Sequence, residues 1–121
     1  MTYKKKYHNR SDGKVSYIEW DKDISMPGLQ FCHATGFNAL TYKKLLEPLS
    51  DLFHIRAEDA RGHGFTETSA IPKTIFDWKI YRDDLIQSVE NFVESKGEPI
   101  VLSGHSMGGA SVMQVAAKRP D

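Results

Sequence analysis

The residues best suited to chemistry form one glycine-rich segment, Gly104-His105-Ser106-Met107-Gly108-Gly109, which follows the apolar run 99–103 and precedes the helix-like stretch 109–118. In a G-x-S-x-G turn between a strand and a helix, a strained backbone exposes the serine hydroxyl at the carboxyl end of the sheet. The strain brings the flanking positions together, and Gly104 and Gly108 lack the Cβ atoms that would collide there. The segment therefore predicts a nucleophile elbow with Ser106 as the nucleophile.

The start of the helix after Ser106 adds a second chemical feature. Its first backbone N–H groups have no partner within the helix and carry positive partial charge, which favours an oxyanion beside the serine. Gly109 is expected to let the helix lie close to the preceding strand. The alternative is a glycine-rich turn whose serine only caps the helix. The order of strand, turn and helix favours the elbow.

The composition is that of an ordinary globular protein of 121 residues, with 40% hydrophobic and 26% charged residues. The length allows at most one domain. Sixteen basic and sixteen acidic residues leave a formal net charge of zero, so charge gives no reason to expect nucleic acid or an anionic membrane as a partner. No apolar stretch is long enough for a signal-peptide core or a membrane span, and we expect a cytoplasmic protein.

Metal, cofactor and disulfide chemistry have no support in the residue spacing. Potential ligands are not clustered as a metal site requires, so we expect neither a metal nor a cofactor. The single cysteine, Cys32, cannot form an internal disulfide. It lies in an apolar run, where a buried and unreactive thiol is expected.

Five segments have the composition of β-strands. Alternating residues predict an amino-terminal β-hairpin from Tyr3–His8 and Val15–Trp20, with turn residues 9–13 between the two strands. Short apolar runs predict buried strands at Leu29–His33, Phe53–Glu58 and Pro99–Ser103.

Two amphipathic helices are predicted between these strands. The first contains Tyr42, Leu45, Leu46 and Leu49; Asn38 is its candidate cap, and Pro48 should kink or end it. The second begins with a capping box at Thr74 and Asp77 and ends at Gly97. Its apolar face consists of Trp78, Tyr81, Leu85, Val89 and Phe92.

The element order predicts an α/β fold, with a mostly parallel sheet, helices on both faces and a preceding β-hairpin, in one domain over residues 1–121. In such sheets the reactive site lies beyond the carboxyl ends of the strands. Residues 33–37, residues 61–64 and Ser106 should therefore converge there.

These loops resemble those of the α/β-hydrolase superfamily, and the likeness runs from about Val15 to the end of the sequence. Its pieces are His33-Ala34-Thr35-Gly36 with Tyr42 nine residues after the histidine, Asp59-Ala60-Arg61-Gly62-His63-Gly64, Asp84-Leu85, and the elbow at 104–109. The resemblance implies that Ser106 is the nucleophile and that the Met107 N–H is one oxyanion donor. An ungapped comparison makes Thr35 the second donor, which we prefer because it keeps the spacing from His33 to Tyr42; a two-residue shift would select Phe37 instead.

The five histidines are expected to have structural rather than catalytic roles. By the resemblance, His63 lies in a loop that braces the site, and His33 orients the oxyanion loop. His105 is expected to pack or to form a local hydrogen bond, since a side chain next to the serine on a tight turn points elsewhere. His8 and His54 lie in predicted strands, and nothing in the sequence suggests a partner for either.

A serine hydroxyl needs a histidine base held by a carboxylate, and in α/β-hydrolases both follow the serine in the chain. No histidine follows Ser106, and the one acid after it is Asp121. Asp59 and Asp84 are expected to support a loop and a helix start. We therefore expect residues 1–121 to be the amino-terminal part of a larger hydrolase domain, without its later strands, lid, catalytic acid and histidine.

The resemblance implies a serine hydrolase that cleaves a small-molecule ester or acyl substrate through an acyl-enzyme at Ser106 in the complete protein. Serine at the elbow argues against epoxide hydrolase and dehalogenase chemistry, which use aspartate there. The serine does not distinguish between esterase, lipase, thioesterase, amidase, acyltransferase and C–C hydrolase activities. The alternative is a catalytically inert domain. In the isolated chain the Pro99–Ser103 strand, which is central in the family's sheet, would lack its neighbour on one side. Its exposed apolar edge would favour self-association.

Overall fold

The computed structural model describes residues 3–10, 12–68 and 79–121. Its centre is a six-stranded sheet in which five strands lie in the order β1-β2-β4-β3-β6, and β5 pairs with β2. The strands are β1 (Tyr3–Arg10), β2 (Gly13–Trp20), β3 (Gly28–Cys32), β4 (His54–Glu58), β5 (Glu67–Thr68) and β6 (Val101–Gly104). The α-helices are α1 (Lys43–Leu46), α2 (Lys79–Lys96) and α3 (Met107–Lys118).

The α/β fold with its amino-terminal hairpin is confirmed, but the sheet is mixed rather than mostly parallel. Strand β3 pairs in parallel with both β4 and β6. Strand β2 pairs antiparallel with β1, β4 and β5. The difference arises because β2 also docks onto β4, with Tyr17 opposite Glu58, so the hairpin becomes part of the main sheet.

Helices cover both faces of the sheet, as predicted. Side chains alternate along β3 because successive residues of a strand point to opposite faces. Phe31 packs in one core cluster with Tyr42 and Leu46 from the region of α1. Cys32 packs on the other face with Leu85 of α2 and Val115 of α3.

The segment after β3 is a short α-helix between two 3-10 turns. The turns are Ala39–Tyr42 and Glu47–Asp51, on either side of α1. Asn38 caps the first turn, because its side-chain oxygen accepts the Thr41 N–H at 3.1 Å. The α-helix ends before Pro48, which has no N–H to continue the helical pattern. The predicted cap and the predicted break are both confirmed.

The predicted end of the second helix agrees with the structure, whereas the predicted start of the last strand differs. Helix α2 ends before Gly97, which has a φ of 74°, as expected for a glycine after a helix. The predicted capping box at Thr74 and Asp77 lies outside the described residues, as does Trp78. The last strand begins at Val101 rather than Pro99, and the short strand β5 was not predicted.

Buried charges join β1, β2 and β4. Glu19 is only 3% exposed and bonds to His54 Nε2 at 2.6 Å and to Arg56 Nε at 3.0 Å, while Lys6 contacts its other oxygen. The expectation that His54 lacks a partner is therefore wrong. His8 also has one, since its Nε2 lies 3.6 Å from a Glu58 carboxylate oxygen. Both partners come from other strands of the sheet, whose order and register the sequence does not show.

Burial alone would raise the pKa of Glu19, but hydrogen bonds from His54, Lys6 and Arg56 outweigh it and hold the pKa well below the usual 4.5. Because the folded-state pKa is the lower one, this carboxylate stabilises the fold above pH 4.5, and the contribution is lost as the pH falls below that value. We expect the free energy of unfolding to decrease in this range.

Glu19→Gln should remove this component of the pH dependence. It should also destabilise the protein by about 2 kcal/mol at pH 7, because the partly buried Arg56 guanidinium loses its carboxylate partner. Urea unfolding of both proteins at several pH values measures this. An unchanged pH profile in Glu19→Gln would contradict the assignment.

Candidate active site

The turn between β6 and α3 is strained at Ser106. This serine has φ 55° and ψ −115°, and it is the one non-glycine residue with positive φ within residues 3–10, 12–68 and 79–121. Such a conformation is costly for a residue with a Cβ and persists only where the surroundings enforce it. The serine is exposed, and its hydroxyl makes no hydrogen bond to any other described residue. The turn thus presents an accessible hydroxyl.

Glycines make this turn sterically possible. A Cβ on Gly104 would lie 2.6 Å from the Gly108 carbonyl oxygen, so the two flanking glycines meet as expected. A Cβ on Gly108 would overlap the Cys32 carbonyl and lie 2.7 Å from the His33 carbonyl oxygen, a contact that sequence reasoning missed. Gly109 has more space, since its Cβ would lie 3.4 Å from the nearest atom, and the expected need for close approach there is weak.

The turn is seated against the end of β3. The His105 N–H donates to the Cys32 carbonyl oxygen at 3.0 Å, and the Gly108 N–H donates to the His105 carbonyl oxygen at 3.0 Å. The Met107 N–H opens α3 and has no acceptor among the described residues. A free donor therefore lies immediately after Ser106.

In the loop after β3, some backbone amides are bonded and others have no acceptor among the described residues. The Ala34 N–H donates to the Tyr42 hydroxyl, the Gly36 N–H to His63 Nε2, and the Phe37 N–H to the Ala34 carbonyl oxygen. Thr35 is exposed, and its N–H has no acceptor in the described part of the chain. This N–H belongs to the planar peptide group between Ala34 and Thr35. The orientation of that group is fixed, because its carbonyl oxygen, that of Ala34, accepts from both His33 Nδ1 and the Phe37 N–H.

The two histidines near this loop are fully engaged in holding it. His33 is buried, with Nδ1 bonded to the Ala34 carbonyl oxygen and Nε2 accepting the Ala60 N–H. Burial lowers the pKa of His33, so the ring stays neutral. His63 donates through Nδ1 to the Arg61 carbonyl oxygen and accepts the Gly36 N–H at Nε2. This arrangement matches the structural roles predicted for both.

Asp59 braces the loop after β4. One of its oxygens accepts the Ala39 N–H at 2.9 Å and the other accepts the Phe65 N–H at 3.0 Å. Gly64 has a φ of 52°, and a Cβ there would lie 2.6 Å from an Asp59 carboxylate oxygen. The carboxylate therefore ties together two chain segments beside the site, as expected of a supporting residue.

Arg61 fixes the same loop to α2. It forms a two-pronged ion pair with Asp84, with both N–O distances 2.9 Å, and a further ion pair with Asp12 at 2.7 Å. These carboxylates raise the pKa of Arg61 above its already high value, although burial opposes the rise. Asp84 thus supports a loop from the following helix, close to its predicted role.

The described residues do not meet the requirements of a reactive cysteine, a metal site or a membrane-spanning helix. Cys32 is buried, and burial raises the pKa of its thiol far above the usual range, so the reactive thiolate is suppressed. Among the residues that the structure describes, no three His, Cys, Asp or Glu side chains are grouped to hold a metal ion. No helix in the described part combines the length and apolar character needed to cross a membrane.

The strained serine turn at the end of β6, with amides on both sides that have no acceptor among the described residues, is the arrangement that the sequence predicts for an α/β-hydrolase. Comparison with known proteins agrees with this class, since the family model for serine aminopeptidase S33 matches residues 28–121. The chain belongs to this family of α/β-hydrolases.

Individual relatives are also hydrolases. The chain is 32% identical to the 2-(acetamidomethylene)succinate hydrolase of Mesorhizobium japonicum over 97 residues, which is 80% of this chain and 33% of the relative. It is also 32% identical to the human monoglyceride lipase over 114 residues, 91% of this chain and 37% of the lipase. The chain therefore spans about a third of the length of these relatives.

Solved structures match almost the whole chain. The crystal structure of E-2-(acetamidomethylene)succinate hydrolase has a TM-score of 0.81 at 27% identity, covering 98% of this chain and 41% of that one. The thioesterase domain from the curacin biosynthetic pathway has a TM-score of 0.83 at 18% identity, covering 99% of this chain and 41% of the domain. The second likeness shows the fold alone.

The contacts of the elbow glycines predict a contrast between two neighbours. Gly108→Ala should destabilise the protein by about 3 kcal/mol, because its methyl group meets the fixed backbone of β3. Gly109→Ala is the matched control and should change stability by less than about 1 kcal/mol. Thermal unfolding of both variants measures the difference, and equal stabilities would contradict the close approach of α3 to β3.

Proposed function

We propose that Ser106 is the nucleophile of a serine hydrolase that cleaves carboxylic esters or related acyl compounds. The observation that carries this proposal is the positive φ of an exposed serine at a strand-to-helix turn. Strained backbone conformations are found mainly at functional sites, and here the strained turn exposes the serine hydroxyl beside the amino terminus of a helix. Membership of a hydrolase family supports the same reaction class.

Two backbone amides are proposed to stabilise the oxyanion. The Met107 N–H is free at the start of α3, where the helix dipole also favours negative charge. Thr35 is the better second donor because its N–H has no acceptor within the described ranges, whereas the Phe37 N–H already donates to the Ala34 carbonyl oxygen. Gly104 and Gly108 supply the space that this arrangement needs.

The proposed reaction has two steps. The Ser106 oxygen attacks the acyl carbon while a general base takes the hydroxyl proton, and the two amides bind the resulting oxyanion. Collapse breaks the bond to the alcohol leaving group, which takes the proton. Water then attacks the acyl-enzyme by the same route, which releases the acid and restores the serine.

The general base is proposed to come from outside these 121 residues. His33 and His63 each use both ring nitrogens in the loops, and no histidine follows Ser106 in the sequence. We therefore propose that residues 1–121 are the amino-terminal part of a larger hydrolase domain whose remaining part supplies the further strands, lid, acid and histidine. The length of the relatives supports this view.

The substrate is proposed to be a small molecule with an ester or related acyl group. The human relative is a monoglyceride lipase and the bacterial relative a 2-(acetamidomethylene)succinate hydrolase, so the family includes different acyl substrates. A net charge of zero offers no electrostatic attraction for nucleic acid. The competing proposal is a catalytically inert domain, which is favoured by the absence of a described base bonded to the Ser106 hydroxyl.

A fluorophosphonate probe, which reacts with activated serines, tests the assignment. We expect it to label a longer product of the same gene and to label the 121-residue chain on the order of 10³-fold more slowly, because the base is missing. Ser106→Ala should abolish labelling. Ser25→Ala, which removes an exposed serine far from the elbow in sequence, is the control and should leave labelling unchanged.

The outcomes separate the proposals. Labelling that persists in Ser106→Ala would rule out Ser106 as the nucleophile. Equal labelling of the short and long proteins would contradict the missing base. No labelling of either protein would support the inert domain.

We also propose that the isolated chain self-associates through β6. This strand lies at the end of the sheet order, with Val101 46% exposed. An open groove of about 630 Å³ lies beside it and is lined in part by Val89, Ile100, Leu102 and Val115. An apolar edge strand of this kind can pair with the same strand of a second copy.

A charge on the edge strand should weaken that association. Val101→Lys should shift the chain toward monomer in analytical ultracentrifugation, because a lysine opposes edge-to-edge pairing. Met113→Lys is the matched control, since Met113 is 73% exposed but lies on α3. A monodisperse wild-type monomer with a sharp, cooperative unfolding transition would overturn this proposal.

A further inference from the structure

Tyr42 contacts both halves of the proposed oxyanion site. Its ring is buried against Phe31, with ring centroids 4.7 Å apart. Its hydroxyl oxygen accepts the Ala34 N–H at 3.0 Å and lies 2.9 Å from His105 Nδ1. One hydroxyl thus joins the residue before Thr35 to the residue before Ser106.

The protons in this contact can be assigned by counting donors and acceptors. A tyrosine hydroxyl has one proton to donate, and its oxygen already accepts from Ala34. If His105 Nδ1 accepts that proton, every polar group of the contact is satisfied and the imidazole proton lies on Nε2. With the proton on Nδ1 instead, the hydroxyl proton of the buried tyrosine would have no acceptor. The first arrangement is therefore the favoured one.

The bridge formed by the hydrogen bonds of the Tyr42 hydroxyl reaches the residues that precede Thr35 and Ser106, the two residues that act together in the proposed reaction. The Ala34 N–H lies one peptide before the Thr35 N–H, and the Ala34 carbonyl is held by His33 and Phe37. His105 precedes Ser106, and its N–H is bonded to the Cys32 carbonyl oxygen. The hydroxyl of Tyr42 is therefore a side-chain link between the proposed oxyanion loop and the elbow, in addition to the backbone contacts of His105 and Gly108 with the end of β3.

We infer that Tyr42 is a positioning residue, whose hydroxyl aligns the Thr35 N–H with Ser106 through Ala34 and His105. This inference rests on the proposed function of Ser106. It assigns no proton transfer to Tyr42, which does not contact the substrate in this role. Both donors of an oxyanion site must reach one oxygen atom, so a small relative shift of the two loops reduces catalysis.

Four variants separate the effect of the Tyr42 hydroxyl group from the effect of the packing of its aromatic ring. Tyr42→Phe removes the bridge and keeps the buried ring. His105→Phe removes the acceptor and keeps an aromatic side chain, whereas His105→Asn retains an oxygen that can accept from the tyrosine. Tyr7→Phe is the control, because it removes the hydroxyl of an exposed tyrosine in β1.

Two measurements are made on each protein. Heteronuclear NMR of the longer gene product reports the His105 tautomer and the Thr35 and Met107 amide shifts, which do not depend on catalysis. Fluorophosphonate labelling of the longer gene product reports the reactivity of Ser106. We expect an Nε2 proton on His105 in the wild-type protein. Tyr42→Phe and His105→Phe should each alter the Thr35 shifts and slow labelling about tenfold. His105→Asn should return both quantities most of the way to the wild-type values, and Tyr7→Phe should change neither.

Unchanged Thr35 shifts in Tyr42→Phe would overturn the bridge. Altered shifts with an unchanged labelling rate would overturn its role in positioning the site. If the wild-type protein is not labelled at all, the proposed function fails, and the NMR comparison alone still decides whether Tyr42 couples the two loops.

Discussion

The close contact between the start of α3 and the end of β3 is the constraint on which the site depends. Gly108 lies against the backbone of Cys32 and His33, and the His105 N–H bonds to the same Cys32 carbonyl. Because the contacts of His105 and Gly108 fix the backbone on both sides of Ser106, they hold this serine in its strained conformation. The serine is exposed because backbone packing beneath it leaves no relaxed alternative.

The loops around the elbow are held by neutral and charged contacts of different kinds. His33 and His63 link backbone groups of the oxyanion loop and the loop after β4, while Asp59 joins two further backbone amides. The ion pair of Arg61 with Asp84 connects this assembly to α2. Side chains that look catalytic by type thus serve mainly to fix backbone amides, while the Thr35 and Met107 amides have no acceptor among the described residues.

The parts of the fold that follow from local chemistry could be predicted from the sequence. The elbow glycines, the Asn38 cap and the break at Pro48 each depend on a few adjacent residues, and each lies where it was expected. The partners of His54 and His8 could not be predicted. They belong to other strands, and their contacts depend on the register of β1, β2 and β4.

Residue order and type therefore sufficed for the class of fold and for the candidate nucleophile, because steric strain, chain breaks and apolar periodicity are local properties. The antiparallel docking of β2 onto β4 and the hydrogen bond from the Phe37 N–H to the Ala34 carbonyl oxygen needed the folded chain. Each depends on which backbone groups meet across long separations in sequence, and such pairings are settled only when the sheet and its loops pack together. The bridge from Ala34 through Tyr42 to His105 is of the same kind.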